Sequence, residues 1–376
     1  MPTMLPIVKP AAVSLADVLP DSIASLAGRR GRLGLTRARS VVVVVVDGLG
    51  ARALASHAGH ARRLVSAPSR TIDSVVPSTT AAALTTILTG VWPGVHGLVG
   101  YSAIDRANDR VVKQLSGWDE RMVPETWQLS TTVFERAGEG DASIVAVGPR
   151  SFTGSGFSRA ILRGAPYRGE DDLASRFRVA AERSAEQRSL TYVYVPELDK
   201  AGHADGVASA RWVATLEAID SALGVLESSV ARGTGIVVTA DHGMLDVPHD
   251  AHVLLSRHPD VMRGVRHVAG EPRLLHLGLE DGEEADDVAA AWRERFGDSS
   301  WVATREEAIA AGWFGDRVVP AVVDRIGEVL VACRKRVAFY DDRFGDDPGR
   351  GMVGQHGSLT PDELSVPVIR LGAWRV

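Results

Sequence analysis

The chain has 376 residues, 45% hydrophobic and 24% charged, the composition of a globular fold and not of a low-complexity or fibrous one. Its 42 basic and 47 acidic residues leave a net charge of −5, which excludes a global electrostatic attraction to nucleic acid or anionic membrane. A single cysteine, Cys333, excludes an intrachain disulfide and fits a reducing compartment.

Residues 1–39 read as an N-terminal arm with one short helix over Leu15–Leu26, followed by a basic, solvated loop, GRRGRLGLTRAR. This arm is a poor signal peptide. No apolar run approaches the roughly 20 residues needed to span a bilayer, so a cytoplasmic location is expected. Val41–Val46 is a run of β-branched residues suited to a strand covered on both faces, and it ends in Asp47. Thr71–Val76 is expected as a strand, and PSTTAAALTTILTG as a helix that stops at Gly90. Ala142–Val147 follows as a strand and Leu173–Gln187 as a helix.

TYVYVPELDKAGH is a strand running into a turn, and Arg211–Arg232 carries apolar residues at helical spacing. GIVVTADHGM is again a strand running into a turn. Residues 255–340 change texture and predict a compact α+β insertion, after which GQHGSLTPDELSVPVIRLG returns to the main body. The expected fold class is α/β, a mainly parallel central sheet with helices on both faces. Its core would be residues 40–254 and 341–376, interrupted by the insertion.

Ligands of open parallel sheets collect beyond the carboxyl ends of the strands. Asp47, Asp199 and Asp241 all stand there, each after a β-branched run. Three converging acids repel one another, and cations relieve that repulsion. Asp199 and His203 are four apart, on one side of the turn if it is helical. Asp241 and His242 are adjacent, and His356 lies between glycines in GQHGS. Carboxylates with neutral imidazoles and no thiolate suit zinc, with manganese or iron as alternatives. Two such clusters would make a two-metal phosphoryl site. The threonines that open PSTTAAALTTILTG offer a hydroxyl at a helix start, where backbone amides favour an anion.

At these residues the chain resembles the alkaline phosphatase superfamily, and most of all its nucleotide pyrophosphatase/phosphodiesterase (type I phosphodiesterase) branch. The blocks that carry the resemblance are VVVVVVDGLG, VPSTTAAALTTILTGVWPGVHGL, YVPELDKAGHADG, VVTADHGM and GQHGS, in family order from residue 41 to 358. The resemblance implies two zinc ions, one held by Asp199, His203 and His356, the other by Asp47, Asp241 and His242. It also implies a nucleophilic threonine ten residues before the glycine that ends the helix. That is Thr80, whose hydroxyl the resemblance also implies as a metal ligand, with Thr79 as its neighbour. Family members often carry an asparagine three residues after the nucleophile, where this chain has Ala83. The resemblance thus implies a metal-dependent phosphoric ester hydrolase working through a phospho-threonine. Its substrate would be a small phosphoester, possibly a nucleotide, and diesters are favoured because no arginine clamp for a dianionic monoester is apparent.

Other readings stand beside this one. They are a phosphomonoesterase, phosphonate hydrolase, phosphoryl transferase or mutase of the same superfamily, or a non-catalytic metal-binding scaffold. Sulfatases require a cysteine or serine followed by proline and arginine, which the Thr80–Leu84 stretch lacks. The GLG of DGLGARAL lacks the rest of a dinucleotide fingerprint or P-loop, and no nucleic-acid-binding motif appears. Ala81, through its backbone amide, and Tyr101 and Trp118, through their rings, are expected at the substrate. Trp92 and Trp127 could stack there too, and each of the four aromatics is as readily core. His96 is expected to order a loop near the site, and His249 and His252 to lie outside the ligand set.

Overall fold

The six valines form the middle of a seven-stranded sheet. In the computed structural model, which describes residues 4–8, 13–138, 141–345 and 348–375, strand β1 spans Ser40–Val46 and every residue of it is buried. Each valine removed from water in this way contributes about 1.5–3 kcal/mol. The other strands are β2 (Ser69–Asp73), β3 (Ser143–Gly148), β4 (Tyr167–Gly169), β5 (Ser189–Val195) and β6 (Thr234–Thr239). The seventh comes from the C-terminal region, Ser365–Gly372.

β1 pairs in parallel with β5 on one side and β6 on the other, so all three strands deliver their carboxyl ends to one edge. β3 and β4 extend the parallel array beyond β5. The C-terminal strand runs antiparallel between β6 and β2. The sheet is therefore mainly parallel, as its alternation with helices predicts.

Helix α1 (Val18–Leu26) continues a short 3-10 turn at Leu15–Asp17. Helix α2 (Thr80–Thr89) is buried along its whole length and stops where Gly90 turns left-handed at φ 72°. Its buried hydroxyls would be costly unpaired, and the helix itself satisfies them. Thr85 donates to the Ala81 carbonyl at 2.6 Å, Thr86 to that of Ala82 at 3.0 Å and Thr89 to that of Thr85 at 2.7 Å. Helices α3 (Leu173–Arg183), α4 (Glu197–Asp205) and α5 (Ala210–Ser229) complete the core.

Several boundaries depart from expectation: α5 ends at Ser229, three residues before Arg232, and two other departures have a visible cause. β2 ends at Asp73, because Ser74 leaves the ladder to donate its amide to Leu364 (2.7 Å) and its hydroxyl to the Asp241 carbonyl. α3 ends at Arg183, four residues before Gln187. Ser184 turns its hydroxyl to the Ala181 carbonyl, and Arg188 adopts φ 57° to start β5.

Between residues 255 and 340 lies a second, four-stranded antiparallel sheet: β7 (Val265–Glu271), β8 (Leu274–Leu279), β9 (Ser300–Thr304) and β10 (Val329–Cys333), in the order β7-β8-β10-β9. Helix α6 (Ala285–Phe296) covers one face with Trp292 and Phe296. The other face packs against Val76, Val99 and Leu359 of the main body. A fully buried pair, Arg273 with Glu363 at 2.7 Å, ties the two bodies together. Breaking such a pair by removing one partner costs about 3–5 kcal/mol. Among the described residues, no helix is long and apolar enough to cross a membrane.

Candidate metal centre

Asp47 follows β1 directly, and its amide donates to Val195 at the end of β5 (3.0 Å). Gly48 must be glycine. It sits at φ 73°, and a Cβ there would stand 3.2 Å from Asp199. Its amide instead donates to Asp241 Oδ1 at 3.2 Å, so the turn after β1 carries one acid and orients a second. Asp199 lies in the first turn of α4, one helical turn before His203, and Asp241 and His242 follow β6. His356 arrives on the chain segment that precedes the last strand.

These residues converge. His203 Nε2 lies 3.4 Å from Asp199 Oδ2, and His356 Nε2 lies 3.9 Å from Asp199 Oδ1. His242 Nε2 lies 3.4 Å from Asp47 Oδ1 and 3.4 Å from Asp241 Oδ2. The rings of His242 and His356 stack at 3.7 Å. Ligand atoms of Asp199, His203 and His356 fall within 4.8 Å of one another, and so do those of Asp47, Asp199 and His242. Asp199 therefore stands between the two groups and reaches both.

The donor chemistry fits cations. The Nδ1 atoms of His203, His242 and His356 each face a backbone carbonyl, of Gly354 (2.8 Å), Gly243 (3.1 Å) and Ser78 (2.9 Å). A carbonyl only accepts, so each Nδ1 carries the proton and each Nε2 presents its lone pair to the centre. Meanwhile Asp47 Oδ1, Asp199 Oδ1 and Asp241 Oδ2 are buried with no hydrogen-bond partner. Three unpaired carboxylate oxygens in one buried spot call for positive charge.

The ionisation tendencies agree. Burial and repulsion by Asp47 push Asp199 up to about 7, and burial and Asp199 push Asp241 up to about 7. Burial and the neighbouring Asp241 also raise Asp47. Burial lowers His242 to about 4, and burial and the other two histidines lower His356, so both imidazoles are neutral.

Thr80 begins α2 beside this cluster, its Oγ1 3.2 Å from His242 Nε2. Thr79 is the residue before the helix and makes no side-chain cap. Ala83 donates its amide to Thr79 and so has none to spare, whereas Ala81 and Ala82 donate to no backbone carbonyl outside the helix. A cavity of about 440 Å³ opens against Thr80, walled by Trp118, Phe152, Phe157, Tyr192 and Tyr194.

Trp118 is thus at the cavity, while Tyr101 is not among its lining residues; the Tyr101 carbonyl accepts from Gln114 at 2.7 Å. His96 is buried, within 3.0 Å of the Thr86 hydroxyl, and fixes the loop after α2. His249 and His252 belong to neither ligand group; His252 packs on the Tyr340 ring at 4.8 Å. Sequence reasoning missed Tyr194, whose hydroxyl donates to Asp47 Oδ2 while its ring lines the cavity. The alternation of Tyr192 and Tyr194 in TYVYV held the signal, because residues two apart on a strand share a face.

The family model for type I phosphodiesterase / nucleotide pyrophosphatase matches residues 41–359. A rat protein, ectonucleotide pyrophosphatase/phosphodiesterase family member 3, is 26% identical over 186 residues. That match takes in 47% of this chain and 21% of the rat protein, so the chain spans about a fifth of the curated relative it matches. Among solved structures, murine ectonucleotide pyrophosphatase/phosphodiesterase 5 superposes with TM-score 0.71 at 16% identity, covering 89% of this chain and 88% of that one. An inactive form of the murine protein carrying a threonine-to-alanine change has been solved with AMP, and it superposes at 0.70 with the same identity and coverage. Phosphonoacetate hydrolase from Sinorhizobium meliloti 1021, in complex with phosphonoformate, superposes at 0.68, 19% identical over 90% of this chain and 91% of that one. At such identities the superpositions establish the fold alone.

Proposed function

Because this chain belongs to the type I phosphodiesterase / nucleotide pyrophosphatase family, within the alkaline phosphatase superfamily, we propose that it is a metal-dependent hydrolase of phosphoric esters, diesters foremost. The observation that carries the reading is the set of three unpartnered carboxylate oxygens and three inward-facing imidazole nitrogens beside the Thr80 hydroxyl. Asp199, His203 and His356 would hold one divalent cation, and Asp47, Asp241 and His242 a second, zinc being the metal best matched to these donors. When bound, such cations supply Lewis acidity and lower the pKa of a coordinated hydroxyl or water.

The chain's own residues do the rest. Thr80 Oγ1 attacks phosphorus in line with the leaving alkoxide, forming a phospho-threonine that water then hydrolyses. The free amides at the start of α2 face the phosphoryl oxygens and replace the donor that an asparagine at position 83 supplies elsewhere in the family. The cavity beside Thr80 holds the organic group and keeps water from it. The inactive threonine-to-alanine form of the murine neighbour supports the assignment of a threonine nucleophile.

The zinc-loaded protein is expected to hydrolyse bis-p-nitrophenyl phosphate, to lose that activity in EDTA and to regain it with zinc. Thr80→Ala should lower kcat by roughly 10⁴–10⁶-fold while two metals remain bound. Undiminished turnover in that variant overturns the nucleophile assignment.

A further inference from the structure

One cation near the centre has no role in the chemistry above. Lys200 follows Asp199 in the first turn of α4, is exposed, and holds its ammonium 5.9 Å from the ring centre of Phe152, a wall of the Thr80 cavity. Among the described residues no carboxylate pairs with it, whereas the buried guanidiniums of Arg176 and Arg273 each hold a glutamate. The cavity it overlooks is electrically neutral. Serines, tyrosines and apolar side chains line it, with no acid, lysine or arginine.

We propose that Lys200 is a specificity-determining residue that reads a second negative charge on the substrate at the rim of the Thr80 cavity. The argument rests on the two-cation reading of the site. Two divalent cations against the carboxylates of Asp47, Asp199 and Asp241, with neutral imidazoles, leave one net positive charge. That balance matches the single charge of a phosphodiester. Lys200 adds the positive charge needed for a doubly charged ligand, and its ammonium stands where the neutral cavity meets the centre. An acid carried on the cavity-bound group, or the second charge of a phosphomonoester or phosphonate, is the matching chemistry.

Calorimetry on the zinc-loaded protein tests this without requiring turnover. Phenylphosphonate carries two charges at alkaline pH and its methyl ester one, on the same ring; phosphonoacetate places the additional charge on a carboxylate. Lys200→Met should reduce the preference for phenylphosphonate over its methyl ester roughly fivefold, the scale of one partly exposed ion pair. Lys200→Arg should restore it, and added salt should shrink the wild-type preference. A loss confined to phosphonoacetate assigns the lysine to a carboxylate, and a loss confined to phenylphosphonate assigns it to the phosphoryl group. A preference within twofold of wild type for both ligands overturns the proposal. If charge selection is present but no ester is hydrolysed, the hydrolase reading falls and the role of Lys200 stands.

Discussion

The ligand edge and the cavity beside it share Tyr194 yet are built by opposite means. At the edge, Asp47 and Asp241 are held by the ends of β1 and β6, neighbouring strands of a single ladder, and Asp199 by the first turn of α4, the helix that follows β5. Their positions follow from where the backbone of a buried sheet stops. The cavity has no such frame. Leu115 and Trp118 come from a loop, Phe152 from a 3-10 turn (Arg150–Phe152), Phe157 from a short helix (Gly156–Ile161), and only the tyrosines stand on strands. Backbone geometry fixes chemistry that is common to a family; side chains packed from separate segments fix what fits beside it, and they are free to differ.

Removing a ligand should hurt most. Asp199→Ala takes a donor from both groups at once, so metal analysis should find fewer than two ions bound. Its turnover should fall well beyond the roughly 10–100-fold typical of losing an outer partner. A variant that keeps two metals and its rate would show that the edge does not depend on this acid. Tyr194→Phe probes the one residue common to both regions. It leaves the cavity wall in place and deprives Asp47 of its phenolic donor, so zinc affinity should drop roughly 10–100-fold in a competition with a chelator. Weaker aryl-ester binding at unchanged zinc affinity would place Tyr194 with the cavity instead.

The smallest effect belongs to the cavity alone. A methyl group on Gly156 overlaps the Trp118 ring, so Gly156→Ala must displace that wall. Urea unfolding should show a loss of about 1–3 kcal/mol. KM for an aryl diester should rise a few-fold by the same overlap, with metal content unchanged.

Much of the edge was legible in the residues. A six-valine run that ends in aspartate states both a buried strand and a costly charge, and the same pattern before Asp241 repeats the statement. Helix α2 was legible through its alanines and the glycine that stops it. The Thr71–Val76 strand was misplaced by three residues, because nothing local reveals that Ser74 will prefer Leu364 and Asp241 across the fold. The cavity walls were largely illegible for the same reason. Nothing local marks Phe152 or Phe157 until tertiary contacts bring them to Thr80. Trp118 is expected to stack and lines the cavity, while Tyr101, equally plausible by composition, is not among the lining residues. Lys200 sits inside DKAGH in plain view, but its significance depends on the neutral cavity it borders.

The antiparallel strand Ser365–Gly372 has a consequence for biosynthesis. β2, which leads into the Thr80 helix, pairs among the described residues with no other strand of the sheet, its residues 69–73 lying against 365–369. Asp47, Asp199 and Asp241 can all take up their places while the chain is still emerging from the ribosome. β2 must wait for a partner translated almost three hundred codons later, so a nascent polypeptide should gather its three clustered acids well before it can secure Thr80.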